Sequence, residues 1–317
     1  MPTAGLIYGQ ESHHLDHLAP LCSLLAIPLI LTDDMLTAQA KEFYPDLDTL
    51  QCESPDQIVK NFDTLIYSTP RVLFEEVFFF AQRMQNKRIK TIWCPHGNSD
   101  KGRHSPFMEA LKEEELILTY GPRIEEFLKE KGVNVPTQRV GNYRLAYFEK
   151  HKAFYENLFP KKQNAILYAP TWQDQEKNSS FPDLWPHLHN APENFFVKLH
   201  PNLYLQFPDE IARLKSEGIQ FIEDSPSIYP LLAQMDLYIG DLSSIGYDFL
   251  SFKKPMILLK DSELTKAGRY VPKEEYENLF AICEEELGKA PLENTLIEET
   301  FGHSEPSLEN LFSILVS

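Results

Sequence analysis

Lys198-Leu199-His200-Pro201 and Met235-Asp236-Leu237-Tyr238-Ile239-Gly240-Asp241-Leu242-Ser243-Ser244 are the two stretches whose reading decides the fold. Each carries a short apolar run straight into polar residues. The first predicts a strand over 195–199 that stops at His200-Pro201. The second predicts a strand over 237–239, a turn at Gly240-Asp241, and a helix over 245–252. Strand, polar turn and helix in that order form the repeating unit of a parallel α/β sheet. In open sheets of this kind ligands bind at the carboxyl ends of the strands, where these polar residues fall.

The same alternation extends in both directions. Strands are expected over 5–8, 27–31, 64–67, 89–94 and 116–120, with helices over 15–25, 72–84 and 123–131. The pattern then resets. One long helix is expected over 143–158, closed by Pro160 and the basic pair Lys161-Lys162. Strands over 165–168, 195–199, 219–222, 237–239 and 256–259 follow, with helices over 211–217, 228–234 and 245–252. Residues 178–192, rich in Ser, Pro, Asn and His, read as a loop, and the C-terminal stretch reads as helical. The chain of 317 residues is long enough for two domains of ~150 residues. We place them at 1–155 and 156–317, with the last helix packing back on the N-terminal domain.

Composition sets the class. Hydrophobic residues are 43% and charged residues 24%, ordinary for a globular protein. No run approaches the ~18 apolar residues that span a bilayer. The start, Met1-Pro2-Thr3-Ala4-Gly5, lacks the basic region of a signal peptide, so a cytoplasmic location is expected. A formal net charge of −17 repels nucleic acid and anionic lipid at long range, which argues against a nucleic-acid binder. Cys22, Cys52, Cys94 and Cys283 show no paired spacing and read as buried or free thiols.

The polar strand ends could carry chemistry. Asp241-Leu242-Ser243-Ser244 opens a helix, where free N–H groups and two hydroxyls suit a phosphate; Asp and Ser are equally ordinary capping residues. His200 could donate to a phosphoryl oxygen or make a structural loop bond. His96, in Trp93-Cys94-Pro95-His96-Gly97, could take a proton from an attacking hydroxyl or cap a turn. Gly97 admits close approach. Lys101, Arg103 and His104 make the following loop locally basic. His13 and His17, four apart, could share a helix face and a metal, yet no further ligand stands at a characteristic spacing. A polar first loop near the acceptor is the alternative reading of that segment. The runs Glu113-Glu114-Glu115 and Glu284-Glu285-Glu286 read as solvated faces.

Together these elements resemble the CDP-glycerol glycerophosphotransferase family, the teichoic acid primases and polymerases. The resemblance rests on His96-Gly97 after a strand, then Ile166-Leu167-Tyr168-Ala169-Pro170-Thr171-Trp172, Lys198 to Pro201, and Met235 to Ser244 followed by Tyr247-Asp248. Lys254-Pro255-Met256-Ile257 also fits. His96-Gly97 is followed by Asn98-Ser99-Asp100-Lys101, where the family reads Thr-Pro and then a lysine. Gly141-Asn142-Tyr143-Arg144 keeps part of a further family element, and Leu242 stands where the family has Tyr.

The resemblance implies a GT-B-like α/β fold of two Rossmann-like domains whose parallel sheets face a central cleft. It implies a transferase with no cofactor and no metal. Such an enzyme moves a glycerophosphate or glycosyl group from a nucleotide-diphosphate donor, CDP-glycerol or a nucleotide sugar, to an acceptor hydroxyl in cell-envelope polymer or glycan synthesis. His96 would be the base. His200 would assist catalysis, with Gly97, Thr171, Asp241, Ser243 and Ser244 joining it at the donor's phosphates. The expected partners are that donor and a hydroxyl acceptor, with no nucleic acid and no transmembrane segment. Peripheral contact at the inner face of the membrane stays open, as does the oligomeric state. A nucleotide-sugar epimerase or hydrolase of the same fold, or a non-catalytic nucleotide-binding descendant, are the alternatives.

Overall fold

The computed structural model describes residues 2–52, 54–98, 110–158, 162–223, 225, 227–290, 295–302 and 308–316. The chain divides into two units. One comprises Met1–His96, His104–Phe154 and Glu299–Ser317; the other comprises Gly97–Arg103 and Tyr155–Glu298.

The first unit is built on seven parallel strands: β1 (Thr3–Ile7), β2 (Leu29–Leu31), β3 (Thr49–Gln51), β4 (Thr64–Tyr67), β5 (Lys90–Trp93), β6 (Leu116–Thr119) and β7 (Thr137–Arg139). Their order is β3-β2-β1-β4-β5-β6-β7. β1 and β4 are central and fully buried, as a strand covered on both faces must be. β3 and β7 are the polar edges, which the apolar pattern of the sequence does not reveal.

The second unit has six parallel strands: β8 (Ile166–Tyr168), β9 (Phe195–Val197), β10 (Gln220–Phe221), β11 (Leu237–Gly240), β12 (Met256–Leu258) and β13 (Arg269–Tyr270). The order β10-β9-β8-β11-β12-β13 repeats the winding of the first sheet. Each half is therefore a doubly wound, Rossmann-like sheet, as expected. Each has its own apolar core, one around Leu6, Leu65, Tyr67 and Ile117, the other around Tyr168, Val197, Ile239 and Ile257.

Three readings change. The helix expected over 143–158 breaks into Tyr143–Lys150 and Lys152–Leu158. At the break the His151 N–H is shared between the carbonyls of Tyr147 and Phe148, tightening the turn. The expected loop 178–192 contains a short helix, Phe181–Leu184, whose Phe181 and Leu184 are buried in the second core. Glu114 is not on a solvated face. It is buried and accepts a hydrogen bond from Tyr67 Oη at 2.5 Å, and burial raises its pKa. Glu285 and Glu286, by contrast, pair with Arg269 at the surface.

The C-terminal segment completes the first unit. Gly121 has no side chain, and a Cβ there would meet the Thr300 carbonyl oxygen at 2.5 Å. Phe301 meets Tyr120 edge-on at 6.3 Å, and Lys90 Nζ reaches the Ile314 carbonyl at 3.4 Å. Pro160, Lys161, Ser99, Asp100 and the basic residues Lys101, Arg103 and His104 lie outside the described residues. The four cysteines are free and buried.

Candidate active site

In the first sheet the winding reverses between β1 and β4, which opens a crevice at their carboxyl ends. The chain leaves β1 into a 3-10 turn, Ser12–His14, and then the helix Leu15–Leu25. β4 ends at Ser68, β5 at Cys94-Pro95-His96, and β6 at Tyr120. These four ends bring imidazoles together. The His96 ring centroid lies 5.7 Å from His14, 6.1 Å from His13 and 6.4 Å from His17.

Hydrogen bonds fix the rings. His14 Nδ1 lies 2.8 Å from Ser68 Oγ and its Nε2 lies 3.1 Å from Glu11 Oε2. His96 bonds to the Ser68 backbone. His17 Nδ1 lies 2.7 Å from Tyr120 Oη, and that hydroxyl donates to the Pro95 carbonyl at 2.9 Å. The hydroxyl has one proton, so its oxygen accepts the His17 Nδ1–H, which leaves Nε2 with the lone pair. Beneath them Arg144 and Asp16 form a buried ion pair at 2.6 Å. The Arg144 guanidinium also sits over the Tyr120 ring at 5.4 Å.

Every imidazole here is held in its neutral form. Loss of hydration, then the neighbouring His13, pushes His96 down to about 4, against the opposing Ser68 bond. His96 nonetheless remains open at the surface, so a ligand can reach it. Burial is also the largest cause for His17, with Arg144 next, and for His14, with His13 next. Burial pushes the Cys94 thiol up to about 12, which removes it as a nucleophile. A cavity of 420 Å³ in the same unit, lined by Arg71, Lys87, Arg88 and Glu115, lies by the start of β5 rather than its end.

In the second sheet the winding reverses between β8 and β11. Asp241, at the end of β11, is fully buried. Its carboxylate accepts from Thr171 N at 2.8 Å, Ser180 N at 2.7 Å and Ser180 Oγ at 2.8 Å. The Asp241 side chain is thus engaged within the protein. A buried carboxylate held by three donors braces the turn after β8. Thr171, which lines that turn, is buried as well.

His200 caps the helix Pro201–Gln206: its Nδ1 accepts from Asn202 N at 3.2 Å. The structural reading of this histidine holds: with Nδ1 accepting, a neutral ring carries its proton on Nε2. The Trp172 ring lies 6.2 Å from it. Ser243 is the N-cap of the helix Ser244–Phe249 and hydrogen-bonds Tyr238 rather than capping with its side chain. Gly97 has φ +119, and a Cβ there would meet Ser244 Cβ at 2.7 Å. The glycine is thus required both by its left-handed backbone and by the approach to Ser244.

Residues 146–275 match the model of one protein family. It is the CDP-glycerol:poly(glycerophosphate) glycerophosphotransferase family. The match covers the ends of β8, β9 and β11, and the resemblance read from the sequence is to this same family. The teichoic acid glycerol-phosphate primase of Bacillus subtilis (strain 168) is 23% identical over 243 residues, 68% of this chain. The chain spans 62% of the length of that curated relative.

Solved structures agree on the fold. UDP-GlcNAc 2-epimerase from Neisseria meningitidis, bound to UDP-GlcNAc, superposes with a TM-score of 0.55 at 14% identity, over 99% of this chain and 98% of that one. S. aureus MnaA with UDP gives 0.61 at 12% identity, over 99% and 94%. A variant of the wall teichoic acid polymerase TagF soaked with CDPG gives 0.59 at 12% identity, over 99% and 88%. The fold is GT-B-like.

The site residues that sequence reasoning missed are Ser68, Tyr120 and the Arg144–Asp16 pair. An acid and an arginine on otherwise buried helix faces were the available signal, since charges are buried only when paired.

Proposed function

We propose that this chain is a nucleotide-dependent transferase. It moves a glycerophosphate or glycosyl group from CDP-glycerol or a nucleotide sugar to an acceptor hydroxyl in cell-envelope polymer or glycan synthesis. The observation that carries this reading is the position of the family match, which falls on the unit bearing Thr171, His200, Ser243 and Ser244 at the carboxyl ends of its strands.

The hydrogen bonds support these roles. His96 bonds the Ser68 backbone through one nitrogen and takes the acceptor's proton on the other. The freed oxygen attacks phosphorus or the anomeric carbon of the donor. The bond from that centre to the bridging phosphate oxygen breaks, and its electron pair leaves with CMP or a nucleoside diphosphate. His200 Nε2–H donates to the departing phosphate, with the Ser243 and Ser244 hydroxyls and the Gly97 backbone beside it. Asp241 acts through Thr171 by holding its backbone. This step uses no metal. We place the reaction in the cytoplasm, with peripheral membrane contact through the exposed Val72, Leu73, Phe79 and Met84; no helix among the described residues is long and apolar enough to cross a membrane.

A thermal-shift screen against CDP-glycerol, CDP-ribitol and UDP- and CMP-sugars tests the donor, because a ligand at about 100 times its Kd stabilises the fold by roughly 2.7 kcal/mol. The donor that shifts the melt is then assayed for transfer. His96→Ala should keep the shift and lose turnover by roughly 10²- to 10⁴-fold. Full turnover in His96→Ala, or no shift with any nucleotide, defeats the reading. Release of free nucleotide without an acceptor would instead favour a hydrolase or epimerase.

A further inference from the structure

We propose that Glu11, His13 and His14 form a binding site for a divalent transition-metal ion of the Zn²⁺ class, within the first unit. Nothing in the transfer reading uses these three side chains, and their chemistry belongs together. Glu11 Oε2 lies 3.1 Å from His14 Nε2 and 3.7 Å from His13 Nε2, and all three ligand atoms fall within 4.8 Å of one another. Ligands about 2.0–2.1 Å from a tetrahedral zinc are about 3.3 Å apart. The two Glu11 separations lie on either side of that value, and the two imidazole nitrogens are within 4.8 Å of each other, so side-chain adjustment would close the site on an ion.

The backbone explains the convergence. Ser12–His14 is a tight 3-10 turn, which brings the rings of the consecutive His13 and His14 to 4.1 Å. Glu11 precedes the turn with an extended backbone. Its carboxylate makes no capping bond and lies against the imidazoles.

The surroundings are those of a metal ligand. His14 is 2% exposed and held through its other nitrogen by Ser68 Oγ. With a metal on Nε2, Nδ1–H donates to that hydroxyl, the outer contact that fixes a ligating imidazole. Glu11 and His13 are exposed, giving the ion an entry path. Two imidazoles and one carboxylate suit Zn²⁺ better than Mg²⁺ or Ca²⁺, which prefer all-oxygen sets. Three protein ligands leave a position for water or an anion. The arrangement differs from the pair suggested by spacing alone: His17 is turned to Tyr120 and takes no part.

The test uses the tag-free 317-residue chain stripped with a chelator, and reads binding rather than turnover, so its result is independent of the transfer reading. Co²⁺ is titrated with visible absorption as readout, followed by displacement with Zn²⁺ and calorimetry. The expected result is one equivalent of Co²⁺ with ligand-field bands, displaced by Zn²⁺. Glu11→Gln and His13→Ala, both at exposed positions, should each weaken binding by about tenfold or more with unchanged metal-free melting, and Ser68→Ala by about tenfold. His189→Ala, at a separate His–Glu pair, should bind as the wild type does. No stoichiometric binding, or equal affinity in Glu11→Gln, His13→Ala and the wild type, overturns the proposal.

Discussion

His200 Nδ1 receives the Asn202 N–H at 3.2 Å, so the imidazole starts a helix while a neutral ring keeps its proton on Nε2. The two tasks separate by substitution. Asn is among the best capping residues, so His200→Asn should keep the cap while removing the Nε2–H donor. We expect unchanged melting and a fall in transfer rate of roughly 10²-fold. His200→Ala should lose the rate and, in addition, about 1 kcal/mol of stability in urea denaturation. Equal stability loss in both variants would show that the ring does more than cap.

Asp241 is predicted to matter before any donor arrives. In Asp241→Asn an amide NH₂ must face either the Thr171 N–H or the N–H and hydroxyl of Ser180, donor against donor. Bonds to a charged group contribute roughly 1.5–3 kcal/mol each, so the ligand-free protein should lose about 3 kcal/mol. Were Asp241 simply a phosphate ligand, ligand-free stability would be untouched and only the donor-induced shift would change.

Gly97→Ala should be damaging for two separable reasons. The backbone at φ +119 costs a side chain roughly 1–3 kcal/mol, and the added methyl meets Ser244. Gly97→Ala/Ser244→Gly removes the collision and leaves the strained backbone. Partial recovery of stability, measured by chemical denaturation, is the expected outcome. Full recovery would mean the backbone relaxes freely, and no recovery would mean the contact contributes nothing.

A pH effect is expected away from the imidazoles. Burial raises the Glu125 pKa, but hydrogen bonds from Arg139 (2.9 Å) and Thr119 (2.9 Å), with the Arg139 charge, outweigh it and leave the carboxyl below its usual range. A depressed folded-state pKa means the stabilisation is complete above the unfolded-state value and fades as pH falls through the folded one. Melting temperature measured from pH 6 down to pH 3 should therefore fall less steeply in Glu125→Gln than in the wild type. Parallel curves would remove the pair from the acid response.

Much of the fold was legible because the central strands are buried on both faces and read as plain apolar runs. The helix Leu15–Leu25 and strand β4 lie where the sequence puts them. β3 and β7 were illegible for the opposite reason: Thr49-Leu50-Gln51 and Thr137-Gln138-Arg139 are short edges in contact with water. Strand-end residues such as His200 and Gly97 could be singled out because each follows an apolar run. Their partners could not, since Thr171–Asp241 and His14–Ser68 join residues far apart in the chain. Glu114 misled because its neighbours Glu113 and Glu115 are solvated, and only the fold brings Tyr67 to it.

The missing side chain at Gly121, filled by the Thr300 carbonyl, has a consequence for biogenesis. The first unit needs residues that are translated only after the whole of the second. All seven strands of its sheet precede the second sheet in the chain, but the contact of Phe301 with Tyr120 can form only once Phe301 has emerged. The half of the chain that is made first is thus completed by the residues made last.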